Sequence, residues 1–380
     1  MRFLKEGDSP PQQQIMGSQS EIRNLILMSI DMLHAMILPS SLFCFDRIKG
    51  QKSPRGVSVR YTLIALLGMI KAIQAGYNVN LDVNKIWQTA LSEIGSADVT
   101  AGDIGLYLWL DSELKRENVA GLLQKLEGSV GAQGGWATCI GMDIAWIIIG
   151  VAFAARRTGS STVVKILREV VDSLCTHYVS NNGLLYHFGD SKPRRRFPNF
   201  ATQIYNVYAL SYAAEFLGDD RLLTVARRIA DKLLALQLPC GGWSWLYDAK
   251  RGCVVERYEI YSVHQDGMAP MSLLKLSEVS GDEKYARAAF KGLDWLYSKN
   301  ELNFHMIDEK EGLIYRSIRR RKPLNKLMLT TNTGLSILGF PSDVADGLFL
   351  EINPTCRPYH LGWILFAWSG SENHFGGIPT

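Results

Sequence analysis

Two windows of this chain follow the same plan. "ALSYAAEFLGDDRLLTVARRIADKLLAL" begins at Ala209 and "MSLLKLSEVSGDEKYARAAFKGLDWLYS" begins at Met271. Each reads as a helix with apolar residues three and four apart, a Gly-Asp stop, and a second helix. Gly281 follows Gly218 by 63 residues. A two-helix unit at such a period specifies an array of α-hairpins, because each hairpin can bury its apolar faces only against its neighbours. Asp219 and Asp220 are then acids of a turn and a first helical turn, where they complement the helix dipole.

Other windows extend the array. "SEIRNLILMSIDMLHAMI", "RYTLIALLGMIKAIQAG" (ended by Gly76) and "SSTVVKILREVVDSLCTHYV" all carry helical spacing, the last with Ser160 and Ser161 as candidate N-caps. After the hairpins another element recurs: "GLLYHFGDSKPRRRF" from Gly183, "GWSWLYDAKRGCVVERY" from Gly242 and "GLIYRSIRRRKPL" from Gly312. Each has a glycine, alternating apolar residues and a basic turn, the pattern of a short β-hairpin or extended loop. Equivalent positions in successive units put all three on one rim. In a closed ring, that rim surrounds the mouth of a central cavity.

Charge narrows the partners. Net charge is only +4 and charged residues make up 21%, so no nucleic-acid coat is expected. The basic residues are concentrated in the connections: Lys192 and Arg194 to Arg196, then Lys250, Arg251 and Arg257, then Arg316 and Arg319 to Lys322. Arginine's planar fork suits carboxylates and phosphates, so these clusters read either as a funnel for an anionic substrate or as solvated loop charge. The six cysteines are scattered without a CxxC pair and read as reduced thiols. The longest apolar run, "IAWIIIGVAFAA", is too short for a bilayer that needs about 20 residues, and it reads as a buried helix. Residues 1–20 are polar, lack the apolar core of a secretory signal, and read as a disordered tail before one domain over 21–375. A cytoplasmic location is the resulting expectation. No Walker loop or GxGxxG follows a strand, and no cofactor is expected.

The repeated hairpins, the glycine-aromatic connections and the chain length resemble the (α/α)-barrel or toroid enzymes, over roughly residues 55–370. The resemblance implies an all-α (α/α)6-type barrel with short β-hairpins at one rim. It has two branches. One is uronyl C5-epimerases, unsaturated-glucuronyl hydrolases, polysaccharide lyases and acylglucosamine epimerases. The other is terpenoid cyclases and protein prenyltransferases, to whose Gln-x3-Gly-x-Trp repeat Gln237 to Trp243 is similar; the Asp-x-Asp-Asp motif of protonating cyclases is absent.

The candidate chemistry centres on "YSVHQDGMAP", residues 261–270, which enters a helix near Pro270. A helix N-terminus lowers a nearby His pKa, so His264 is a candidate base and Tyr261 or Tyr258 a candidate acid. Asp266 is the candidate orienter of the histidine, and Arg194, Arg195 and Arg196 the carboxylate clamp. Together they would remove a proton beside a carboxylate, the step shared by uronate epimerases and lyases. Hydrolysis by Asp143 with Asp266 stands behind it. Gln203, Tyr205, Trp243, Trp245, Gln265 and Arg319 complete the expected substrate lining. The plainer reading of each is capping, hydrogen bonding or core packing. Zinc on Cys240, Cys253 and His264 is a further possibility, although their spacing matches no compact zinc pattern. The expected substrate is an anionic small molecule or oligosaccharide. The alternatives are a prenyl-diphosphate toroid and a non-enzymatic helical scaffold.

Overall fold

Helices dominate, and burial sorts them into two kinds. The computed structural model describes residues 19–51, 53–96, 98–340, 347 and 349–371. The buried kind is α2 (Val59–Gln74), α4 (Ala101–Glu113), α6 (Gly141–Thr158), α8 (Phe200–Leu217), α10 (Ala269–Ser280) and α13 (Pro358–Trp368). These are apolar nearly all round: α8 buries every residue from Phe200 to Ala214, Gln203 and Asn206 included. The other kind is α1 (Gln19–His34), α3 (Val83–Ser92), α5 (Val119–Gln133), α7 (Ser161–His177), α9 (Asp220–Ala235) and α11 (Lys284–Asp294). These bury one stripe; in α9 it is Leu222, Ala226, Ile229, Ala230 and Leu233, the spacing of a helix with one face on a core.

The buried helices form a closed inner ring. Helix α2 packs on α4, α4 on α6, α6 on α8, α8 on α10, α10 on α13, and α13 returns to α2. Each outer helix backs one inner helix, with α1 on α13, α3 on α2, α5 on α4, α7 on α6, α9 on α8 and α11 on α10. Six inner and six outer helices make an (α/α)6 barrel, the architecture expected from the repeats. The glycines that ended the sequence windows end inner helices in left-handed backbone, with φ +64° at Gly218 and +70° at Gly281.

Two inner crossings depend on the absence of a side chain. A Cβ on Gly68 of α2 would lie 2.1 Å from the Gly362 carbonyl oxygen of α13, and one on Gly150 of α6 would lie 2.1 Å from that of Gly105 on α4. The first pair closes the ring between the two ends of the chain. Rings on the inner helices fill the axis: Trp109 lies 5.8 Å from Tyr208 and 6.2 Å from Trp363, and Trp363 lies 5.6 Å from Tyr205. This aromatic plug divides the bore into two separate mouths.

The basic connections are partly stranded, as expected. The second is a hairpin of β2 (Leu246–Asp248) and β3 (Cys253–Glu256). The third runs through a hairpin of β5 (Ile307–Asp308) and β6 (Leu313–Ile314) into β7 (Ser317–Arg320). Strand β7 pairs antiparallel with β4 (Ile260–Tyr261) and with β8 (Leu350–Asn353). In β1 (Arg47–Ile48) and β9 (Thr355–Cys356) the two ends of the ring are joined again.

Outside the ring, α12 (Leu324–Ile337) lies on β3 and β7. It is held from below by two buried acids. Glu256 accepts from Arg320 and, at 2.9 Å, from Asn332; Asp248 accepts from Ser336 at 2.6 Å and from the Arg196 guanidinium. Among the described residues, no helix is long and apolar enough to cross a membrane. Of the expected tail, residues 1–18 lie outside the described residues, and α1 already begins at Gln19.

Candidate active site

One mouth of the barrel collects the N-termini of the inner helices. N-caps fix where these helices start. Ser58 accepts from the Tyr61 amide, Asn199 from the Thr202 amide, and Thr100 forms a reciprocal capping box with Asp103. Residues in the first turns then face one cavity of about 200 Å³: Arg60 and Tyr61 from α2, Met142 and Trp146 from α6, Tyr205 from α8, Tyr359 from α13. Trp245, Tyr261 and Arg316 enter from the connections, with Arg357 from the residue before α13. His264 heads a π-helical turn, His264–Met268, that runs into α10. Helix N-termini carry partial positive charge, so their convergence on one cavity favours a negative group there.

Arginine geometry sharpens that preference. Arg60 is committed, its guanidinium forked on Asp103 at 2.6 and 2.9 Å and lying 5.3 Å over the Trp146 ring. Arg316 and Arg357 are not. Among the described residues neither meets a carboxylate. Arg316 lies 4.8 Å over the Tyr261 ring and Arg357 4.3 Å over Phe45, and Arg357 also donates to the Tyr61 hydroxyl. Arg316 Nη1 and Arg357 Nε are buried without a hydrogen-bond acceptor. Buried charged donors without acceptors are costly, and a carboxylate between the two would satisfy both.

Three groups near these arginines can handle protons. His264 packs against Phe200 at 4.7 Å and Tyr261 at 5.1 Å and lies parallel to Trp245 at 6.1 Å; its Nδ1 has no hydrogen-bond partner. Burial, then the charges of Arg316 and His360, push its pKa down to about 3, so the imidazole is neutral; a carboxylate bound beside Arg316 would offset that charge and favour its taking a proton. Burial raises the Tyr261 hydroxyl to about 12, which keeps it a donor. Asp143 lies against Gly102, where an added Cβ would meet its carboxyl at 2.6 Å. Burial raises Asp143 to about 6 against the opposing pull of Arg60, so it holds a proton in mildly acidic solution.

The structure thus brings together His264, Tyr261, Tyr205 and Trp245 of the sequence candidates, with Asp143 nearby. It sends the others elsewhere. Asp266 does not orient His264; it is fully buried and bonds His360 Nε2 at 2.7 and 2.8 Å. Arg194, Arg195 and Arg196 do not reach the cavity. Arg196 binds Asp248 and the Ser336 carbonyl, Arg195 binds the His177 carbonyl and stacks 3.8 Å from the Tyr186 ring centre, and Arg194 is exposed. Arg251 donates to the Gly339 and Phe340 carbonyls, so two basic turns neutralise the carbonyl end of α12. Arg319 pairs with Glu351 at 2.9 Å.

Gln203 and Gln265 do occupy equivalent places, but their amides serve backbone. Gln203 bonds both polar groups of Leu185, while Gln265 accepts from the Trp243 amide and donates to the Tyr261 carbonyl. Each fastens a connection to its inner helix. Trp243 is core, stacked on Phe200 at 5.4 Å, and Tyr258 lies buried beneath the Arg320 guanidinium. Cys240, Cys253 and His264 do not converge: among the described residues no group of three or more His, Cys, Asp or Glu side chains is placed to hold a metal ion. Arg357 and Tyr359 had no sequence candidate behind them. The signal was Pro358 heading the last apolar helix, the same helix-entry pattern that singled out His264.

Neither a protein-family model nor a curated protein sequence matches the chain. Solved structures do match in shape over nearly the whole length. A sugar epimerase from a ruminal bacterium superposes with a TM-score of 0.63 at 13% identity, covering 96% of this chain and all of that one. An unsaturated glucuronyl hydrolase specific for heparin gives 0.63 at 13%, covering 95% and 98%. The cellobiose 2-epimerase of Bacillus thermoamylovorans gives 0.60 at 11%, covering 92% and 98%. At these identities the likeness is one of fold.

Proposed function

We propose that the chain is an enzyme acting on a carboxylate-bearing sugar, removing the proton on the carbon next to the carboxylate. The observation that carries this reading is a pair of guanidinium groups, Arg316 and Arg357, that meet no carboxylate among the described residues and each keep one buried nitrogen without an acceptor, in the cavity that also holds the neutral imidazole of His264. The cavity, about 200 Å³, is smaller than the ~300–1,000 Å³ of sites for drug-sized ligands, which suits one sugar ring rather than a chain. Trp146, Trp245 and Tyr205 offer it aromatic walls. The sugar epimerases and glucuronyl hydrolase of like fold support the choice of a sugar.

In this chemistry the arginines hold the carboxylate and stabilise the second negative charge that builds on it as the C–H bond breaks. The C–H electron pair moves into the carboxyl group and the proton moves to His264. Return of a proton to the opposite face, from Tyr261, gives the epimer; loss of a leaving group from the neighbouring carbon gives the lyase product. A small, charged cavity does not support the cyclase alternative, and a closed ring does not support the open scaffold.

Hydrolysis is the second reading, favoured by one observation: Asp143, raised to about 6 by burial, lies near the Asp103–Arg60 ion pair and can keep a proton in mildly acidic solution, as the acid of a glycosidase does.

Competition binding of glucuronate against glucose tests the anion seat. Glucuronate is expected to bind at least tenfold more tightly, with the advantage lost in Arg316→Ala and Arg357→Ala. Equal affinity for the two sugars contradicts the proposal.

A further inference from the structure

The other mouth of the barrel holds a cavity of its own. At the C-terminal ends of the inner helices two adjoining cavities, of about 280 and 410 Å³, share Lys71, Tyr208, Lys275, Glu278 and Phe366. All six inner helices line the smaller one, with Glu113 from α4, Arg156 from α6 and Tyr212 from α8 completing the circle, so it lies on the barrel axis. The plug of Trp109, Tyr208 and Trp363 separates it from the candidate active site.

Three features define what it would take. The first is charge balance. Glu215 meets Arg156 at 3.4 Å and Lys275 at 3.1 Å, Lys275 meets Glu278 at 3.2 Å, and Glu113 accepts from Gln74 at 3.0 Å. An ionic ligand would have to break these pairs, and the negative ends of six helices oppose an anion further. The second is unsatisfied hydroxyl groups. Tyr212 OH and Ser369 Oγ are buried and make no hydrogen bond, in residues only 4% and 2% exposed that line the smaller and larger cavity. A buried hydroxyl without a partner is costly, so two at one mouth mark places where a partner belongs. The Lys71 ammonium, unpaired among the described residues, adds a donor. The third is aromatic surface: Phe366 and Tyr208 meet edge to face at 5.9 Å and both line the two cavities.

Hydroxyl groups, an ammonium donor and aromatic faces, in surroundings whose other charges are mostly paired, match an uncharged pyranose. We propose that this mouth is a second binding site, for a neutral sugar of about disaccharide size. It does not rest on the reaction proposed above, since no residue of the first cavity takes part.

Titration of the full chain with cellobiose, maltose and lactose, followed by saturation-transfer NMR and calorimetry, tests it. At least one disaccharide is expected to bind. Tyr212→Phe and Lys71→Ala should each weaken that binding several-fold, the second being an exposed substitution that leaves the fold intact. Arg316→Ala, at the opposite mouth, should leave the titration unchanged. The proposal is overturned if none of the three sugars binds, or if binding disappears in Arg316→Ala and is indifferent to both other substitutions.

Discussion

Closing the ring between α2 and α13 depends on Gly68, and replacing it by alanine exposes how much. The added Cβ would lie 2.1 Å from the Gly362 oxygen and 2.8 Å from its Cα and carbonyl carbon. These are backbone atoms of a buried helix, with no rotamer to escape into. Restoring ordinary contact, which begins at 3.4 Å, requires the two helices to part by roughly 1 Å along their crossing. Overpacking of this kind costs about 1–3 kcal/mol and sometimes more. Alanine's better helix propensity returns about 1 kcal/mol. A clash with rigid backbone at 2.1 Å belongs at the upper end of that range or above it, so a net loss of about 2 kcal/mol or more is expected. Gly128→Ala on the outer helix α5 is the matched control, because nothing lies within 4 Å of its added Cβ. There the propensity acts alone and should stabilise by up to about 1 kcal/mol. Urea unfolding of both variants at constant m-value measures the pair. If Gly68→Ala were as stable as the wild type, the close α2–α13 crossing that completes the ring would be refuted.

Three further outcomes follow from the same structure. Glu256 and Arg320 are both fully buried, so Glu256→Gln, which takes the negative charge out of this pair, should destabilise by about 1–3 kcal/mol in urea unfolding. Asp143 has a folded pKa of about 6 against an ordinary 3.8, so the native state holds the extra proton between these values. Relative to Asp143→Asn, the wild type should lose stability as pH rises from about 4 to 6 and change no further above that. For His264 the sign reverses: its pKa falls from 6.5 to about 3, the unfolded chain binds the extra proton, and relative to His264→Gln the wild type should gain stability as pH rises through that window. Unfolding across the pH series checks both slopes.

The array could be read from sequence because each hairpin is local. Gly218 and Gly281 end helices whatever surrounds them, and the stripe of α9 declares its buried face within sixteen residues. The site was less legible because it is assembled by closure. Arg357 reaches Tyr61 across 296 residues, and nothing in either segment names the other. The basic turns misled for a physical reason: a run such as Arg194 to Arg196 has the same composition whether it faces a ligand or the carbonyl end of a helix, and α12 supplied that helix. Gln203 and Gln265 show the converse. Their equivalence was visible, but a buried amide at a helix start can satisfy loop backbone as well as substrate, and here it satisfies backbone. His264 survived as a candidate because it opens an inner helix, and the ring brings all such openings to one mouth.

The central chemical claim is that neutral His264 removes a carbon-bound proton beside a carboxylate held by Arg316 and Arg357. Incubation of the enzyme with uronates and uronate-ended oligosaccharides in D2O, followed by proton NMR at the carbon next to the carboxylate, tests it most directly. An epimerase is expected to wash deuterium into that position and a lyase to lose the proton into an unsaturated product, both abolished in His264→Ala. Turnover of such a sugar with that C–H bond untouched, or exchange undiminished in His264→Ala, contradicts the claim.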